Sequence, residues 1–382
     1  MSRRVTLAIV CSAMALVCAL PAGAGARSLR VRSFDGTRLH VNFFTAVGLR
    51  HGHRAPTVLM GPGWGSPGDT HANDSTAPSL GTVGVGTLRR AGFNVVTWDP
   101  RGFGTSQGTV EVDSPRFEGR DVSSLISWLA RQPQALLDRR GDPRVGMAGG
   151  SYGGGIQLVA AAIDHRIDAI VPDIAWHSLV TSLDKNNTGK LGWAGLLYLA
   201  GRAVGRLDPL IGQSYQAQAA GMPLTPGERG FYQSRGPGNL VARIKAPTLL
   251  IQGTADNLFT LQEAVTNYEM LRRHGVPVKM LWFCGGHGIC LTNPGKTSLI
   301  TTDTVDWLDR YLKDEPTRKA GPVFQWVDQD GVEHTGPDYP LAARNPLTAT
   351  GSGTLTLSAT GGSGPATAIP GAGPLAAAVA PI

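Results

Sequence analysis

The stretch Val145-Gly146-Met147-Ala148-Gly149-Gly150-Ser151-Tyr152-Gly153-Gly154, with the apolar run 156–163 behind it, decides the fold. A short run of small and apolar residues enters a Gly-x-Ser-x-Gly turn, and a segment of helical character leaves it. Strand, tight turn and helix in that order expose a serine at the edge of a parallel sheet, provided the flanking residues are small enough for the turn to close. The same five-residue pattern recurs at Gly104-Thr105-Ser106-Gln107-Gly108. There the continuation is Thr109-Val110-Glu111-Val112-Asp113-Ser114-Pro115, which offers no helix start. Ser151 is therefore the candidate nucleophile, and Ser106 reads as a loop residue.

Working outward, residues 29–33 and 38–44 read as two strands joined by the turn signal Asp35-Gly36. Residues 57–60 form a short apolar strand that ends at Gly61-Pro62-Gly63, and 93–98 a buried one that ends at Asp99-Pro100-Arg101-Gly102. Segment 85–91 reads as a helix, and 120–131 places Val122, Leu125, Ile126 and Leu129 at helical spacing. Beyond the serine, strands are expected at 167–171, 248–251 and 278–283, with helices at 262–274 and 301–312. Antiparallel strands followed by strand–helix alternation predict an α/β fold, a mostly parallel sheet covered by helices on both faces, over residues 29–315. The alternation stops from about 176 to 240, where a helical cap insertion is expected. After residue 316 the composition shifts to Gly, Ser, Thr and Ala. Short strands at 323–328 and 353–357 read there as the start of a β-type accessory domain, or a tail, over 321–382.

The chemistry needs an acid and then a histidine after the serine. Asp256 follows the strand Leu249-Leu250-Ile251 and the turn Gln252-Gly253-Thr254, where a carboxylate can hold an imidazole in one tautomer. Asp173, at the end of another strand, is its rival. His287 sits in Gly285-Gly286-His287-Gly288, just past strand 278–283, and the glycines let that loop bring a ring to Ser151. Two donors are then required for the developing oxyanion. One is the backbone N–H of Tyr152. The other is Trp64 in the loop Gly61-Pro62-Gly63-Trp64-Gly65-Ser66, through its backbone N–H or its indole.

The 382 residues carry a net charge of +7 and are 42% hydrophobic, enough for a sizeable core and too apolar for a wholly disordered chain. The positive balance favours association with an anionic wall or membrane surface. Lys and Arg are scattered without a basic run among aromatics, which speaks against a nucleic-acid partner. No cluster has metal-ligand spacing, and no Gly-Lys-Ser/Thr follows a Gly-rich turn, so neither a metal nor another cofactor is expected. Arg3 and Arg4, the uncharged apolar run 5–20 and Ala24-Gly25-Ala26 read as a cleaved signal peptide over 1–26, and so as a secreted or envelope-associated protein. Cys11 and Cys18 leave with that segment. Cys284 and Cys290 are then the two remaining thiols, and an oxidising compartment invites a disulfide between them.

Taken together, these blocks resemble the α/β-hydrolases of the X-Pro dipeptidyl-peptidase and cocaine-esterase (CocE/NonD) type. The likeness runs from about residue 29 to 312 through Gly63-Trp64-Gly65-Ser66, Asp99-Pro100-Arg101-Gly102-Phe103-Gly104-Thr105-Ser106-Gln107-Gly108, Gly149-Gly150-Ser151-Tyr152-Gly153-Gly154, Gln252-Gly253-Thr254-Ala255-Asp256 and Gly286-His287-Gly288. It implies an α/β-hydrolase fold with a β-rich C-terminal domain. It also implies a serine hydrolase that uses Ser151, Asp256 and His287 on small ester or peptide substrates. Relatives often place a tyrosine hydroxyl in the oxyanion hole where this chain has Trp64. Two other functions compete: an acyltransferase with the same triad and a sugar or lipid hydroxyl as acceptor, and a non-catalytic surface protein that kept the fold.

Overall fold

The computed structural model describes residues 26–75, 83–313 and 320–342. The expected leader, apart from Ala26, and the expected strand at 353–357 lie outside the described residues. Ten strands share one sheet: β1 (Ala26–Arg32), β2 (Arg38–Phe44), β3 (Thr57–Met60), β4 (Asn94–Trp98), β5 (Val145–Gly150), β6 (Ile167–Asp173), β7 (Thr248–Gly253), β8 (Val278–Phe283), β9 (Phe324–Val327) and β10 (Glu333–Gly336). Their order across the sheet is β1-β2-β4-β3-β5-β6-β7-β8-β9-β10. Neighbours from β4 through β9 run parallel, while β1, β2 and β10 are antiparallel to the strands beside them.

Every residue of β3, β4, β5 and β7 is buried, as expected of parallel strands covered on both faces. One face carries α2 (Glu118–Leu129), α3 (Tyr152–Ile163) and α8 (Leu261–Arg273). The other carries α1 (Val85–Arg90) and α9 (Leu299–Leu312). Val122, Leu125, Ile126 and Leu129, singled out by their spacing, are all at most 1% exposed. Burying one such side chain is worth about 1.5–3 kcal/mol. On the opposite face, Leu308 and Leu312 of α9 press onto β5 at Gly146, where a Cβ would lie 2.8 Å from the Leu312 Cδ1.

The expected cap is a run of four α-helices between β6 and β7: α4 (Leu179–Leu183), α5 (Leu191–Val204), α6 (Pro209–Ala219) and α7 (Pro226–Gln233). Two boundaries differ from expectation. β1 begins at Ala26, the last residue assigned to the leader, because its pairing with β2 continues to Ala26 opposite Phe44. The described part of the C-terminal segment extends the central sheet: β9 pairs parallel with β8, and Phe324 packs edge-on against Trp282 at 4.9 Å. An aromatic edge on β8 gives that strand a partner, which composition alone does not reveal. Among the described residues no helix is long and apolar enough to cross a membrane.

Candidate active site

β5 delivers the chain to Ser151, and α3 begins at the next residue. Ser151 has φ 56° and ψ −116°, outside the comfortable regions for a residue with a side chain. Such strain persists only where the surroundings over-determine the backbone. Here the Ser151 N–H donates to the Asp173 carbonyl, and the N–H groups of Gly154 and Gly155 donate to the Ser151 carbonyl, each at 2.9 Å. The loop after β3 closes against the elbow. A Cβ on Gly149 would lie 2.6 Å from the Gly61 carbonyl oxygen, so only glycine fits.

The acid and the ring arrive from the ends of β7 and β8. Asp256 Oδ1 accepts from the backbone N–H of Leu258 at 3.0 Å and of Phe259 at 2.8 Å, which aims Oδ2 at His287. The distance from Oδ2 to Nδ1 is 2.7 Å, and from His287 Nε2 to Ser151 Oγ 2.8 Å. With a carboxylate at Nδ1, that nitrogen carries the proton and Nε2 accepts from the serine hydroxyl. The Asp256 side chain is wholly buried and that of His287 is 7% exposed. Phe259 and Trp193 meet the imidazole edge-on at 5.0 and 5.9 Å, shielding it from water. Gly286, with φ 108°, is required beside the acid, since a Cβ there would lie 2.7 Å from the Asp256 Cβ. The Cys284–Cys290 disulfide spans this loop, with Cα atoms 5.2 Å apart.

The Tyr152 N–H opens α3, where a first-turn amide has no acceptor within the helix and the helix dipole adds positive potential. Trp64 takes a different place from one expected of it. Its indole N–H donates to the Leu197 carbonyl of α5 at 2.8 Å and is thereby withdrawn as an oxyanion donor. The cause is the cap, which lies over the ring. Trp64 instead packs edge-on against Phe103 and Tyr152 at 5.1 and 5.2 Å.

Ser106 is 2% exposed; its hydroxyl donates to the Asp99 carbonyl at 2.7 Å and accepts from the His40 N–H at 2.8 Å. It pins a loop whose edge seats the cap, where the Val110 N–H and the Arg206 N–H exchange bonds with the Arg206 and Gly102 carbonyls. Asp173, the rival acid, is fully buried, and among the described residues neither of its carboxyl oxygens has a hydrogen-bond partner. Burial first, and then the charge of Asp256, raises its pKa well above the usual carboxylate range. Sequence reading missed three features. Lys190 Nζ donates to the carbonyls of Asn257 and Leu258 at 2.9 and 3.0 Å, and Trp193 Nε1 to Asn257 Oδ1 at 2.9 Å, so the cap grips the turn that holds Asp256. Beneath Tyr152 lie the buried acids Asp113 and Glu118, the latter raised to about 8 chiefly by burial. At the surface, Asp69, His71 and Asp74 come together, with His71 Nδ1 2.9 Å from Asp69. The first joins segments far apart in sequence, whereas Asp113 with Glu118, and Asp69 with His71 and Asp74, lie close along the chain but outside the strand–turn–helix pattern read above.

Ser151 opens into a cavity of about 80 Å³ roofed by α4, α5 and α6. Its walls are overwhelmingly apolar and aromatic.

The X-Pro dipeptidyl-peptidase (S15 family) model matches residues 35–288. A Rhodopirellula baltica protein provisionally named Xaa-Pro dipeptidyl-peptidase is 26% identical over 307 residues, covering 72% of this chain and 47% of its own. A Gibberella fujikuroi polyketide transferase is 25% identical over 154 residues, 38% of this chain and 43% of its own. Among solved structures, a CocE/NonD family hydrolase from Staphylococcus aureus superposes with a TM-score of 0.60 at 17% identity, over 83% of this chain and 60% of that one. The chain thus spans less than half the length of these two curated relatives. With a family match across about two thirds of its length, laid on an α/β-hydrolase sheet, the chain belongs to the X-Pro dipeptidyl-peptidase (S15) family.

Proposed function

We propose that the chain is an exported serine hydrolase that opens an ester or peptide carbonyl through an acyl-enzyme on Ser151. The observation that carries this reading is the unbroken hydrogen-bonded series from Ser151 Oγ through His287 to Asp256, at 2.8 and 2.7 Å. In the first step Ser151 Oγ attacks the carbonyl carbon while His287 Nε2 takes the hydroxyl proton. Asp256 stabilises the imidazolium, and the Tyr152 N–H faces the negative oxygen. The tetrahedral adduct collapses as His287 returns the proton to the leaving group, giving the acyl-serine. Water, deprotonated by the same imidazole, then releases the acid and restores the serine.

A second reading keeps the triad and replaces water by a sugar or lipid hydroxyl. The likeness to a polyketide transferase supports it, as does a cavity with little polar surface to hold water. The leader read at 1–26 and a disulfide beside the active loop support export.

The test is hydrolysis of a short p-nitrophenyl ester. Ser151→Ala should lower kcat by up to ~10⁶, the loss typical of a removed nucleophile. Ser106→Ala should keep most of the activity. Equal losses in both variants would contradict the assignment.

A further inference from the structure

The cavity beyond Ser151 has a composition that bears on what it can admit. Leu183, Leu197, Ile211, Trp176 and Phe259 supply its walls, and among the described residues Asp184 is the one carboxylate in its lining. That carboxylate is already taken. Asp184 Oδ1 accepts from Gln218 Nε2 at 2.9 Å, and Oδ2 pairs with the Arg229 guanidinium at 2.5 Å.

The neighbouring acids are no better placed to receive a cation. Glu263 spends Oε2 on the backbone N–H groups of His177 and Ser178, at 2.8 and 2.9 Å, and Oε1 on the Thr181 hydroxyl. Asp256 is engaged with His287. Asp113 and Asp173 lie wholly buried outside the cavity lining, and burial raises both well above the usual carboxylate range. An ammonium group entering this space would lose its hydration and find no free anion among the described residues, which is strongly unfavourable. An apolar chain would lose nothing and would gain contact on every side.

We infer that the cap cavity takes a neutral, apolar acyl group and rejects acyl groups that carry a free α-ammonium, such as a peptide N-terminus. The inference rests on Ser151 as the nucleophile and names the substrate class of that site. It separates this chain's specificity from the exopeptidase activity in its family's name, since an exopeptidase must bind the N-terminal amine.

The experiment compares p-nitrophenyl pentanoate with norvaline p-nitrophenyl ester on the mature protein at pH 7. The two substrates differ by the α-ammonium alone. Alongside them run Gly-Pro and Ala-Pro p-nitroanilides, the acetate ester, and labelling by a fluorophosphonate. The pentanoate should exceed the norvaline ester in kcat/KM by about 100-fold or more, the scale on which sites reject groups left without partners. It should also exceed the acetate by about 10-fold, the scale of a few methylenes in an apolar pocket. The proline p-nitroanilides should be poor substrates. Equal or better turnover of the norvaline ester would overturn the inference, and its selective loss in Asp184→Asn would make Asp184 an amine anchor. An inert ester panel on a protein that still labels at Ser151 would overturn the inference and leave the serine reading standing. An inert panel without labelling would overturn both.

Discussion

The rim of the sheet and the cap above it hold their side chains in different ways. At the rim, position is set by backbone closeness: Gly149 against Gly61, Gly286 against Asp256, and Gly154 with its hypothetical Cβ 2.5 Å from the Asp173 carbonyl. No other residue fits there, and three strand ends converge because the loops between them have no bulk. The cap adds to its backbone bonds at Gly102 and Val110 a set of side chains that reach across to the loops at the sheet edge. Lys190 and Trp193 hold the acid turn, Arg235 pairs with Glu111 at 2.7 Å, and Arg206 Nε donates to the Gly108 carbonyl at 2.9 Å. Side-chain ties can be exchanged one at a time, whereas the rim tolerates almost no exchange. A fixed chemistry under an exchangeable specificity layer is what that division permits.

The sharpest way to break the comparison is at the two buried acids of the rim. Asp256→Asn should lower kcat by about 10⁴, because the imidazole loses the acceptor that sets its tautomer. Asp173→Asn should retain most activity, since among the described residues its carboxyl makes no hydrogen bond to a member of the series. The reverse result would move the acid role to Asp173. The same variant has a second readout in stability. The unfolded chain releases the Asp173 proton as pH passes about 4, while burial in the fold holds that proton to higher pH, so rising pH favours the unfolded state. Glu118, raised to about 8, acts in the same direction. Tm of the wild type should therefore fall between about pH 5 and 8 on account of these groups, and the fall should be shallower in Asp173→Asn. Parallel Tm profiles would show that Asp173 is ionised in the fold.

The tie between rim and cap should matter less than the rim itself. Removing the Lys190 ammonium in Lys190→Met frees the Asn257 and Leu258 carbonyls and loosens the turn carrying Asp256. A drop in kcat of about 10-fold, with KM changed less and partial recovery in Lys190→Arg, is expected for a positioning group. A change in KM alone would make Lys190 a cavity residue only. Smallest of all should be the effect of the disulfide. Cys284→Ser with Cys290→Ser should cost about 2 kcal/mol of stability on the chain-entropy account of a short loop, with a modest loss of kcat from a freer His287 loop. Unchanged stability in the double variant would deny the cross-link any role in the fold.

How legible each region was follows from the same contrast. Close backbone approach forces glycine and places it at fixed offsets from Ser151, Asp256 and His287, so the rim can be read along the chain. The central strands were equally plain, since burial on both faces makes them continuously apolar. The cap offered only an interruption of strand–helix alternation. Its grip on Asn257 comes from a lysine 67 residues away, a pairing with no local signature. Trp64 was read by its place in a glycine loop, and the cap helix that claims its indole lies 133 residues further on. The joining of Phe324–Val327 to the main sheet likewise depended on Trp282, on a strand far from it in sequence.

The central claim is that strain and the imidazole make Ser151, and no other serine, the nucleophile. Peptide mapping of the mature protein after reaction with a fluorophosphonate tests it most directly. The account predicts one adduct per chain, located on the peptide containing Ser151, formed far more slowly in His287→Ala. An adduct on Ser106, or labelling at Ser151 that proceeds at the same rate without His287, would contradict it.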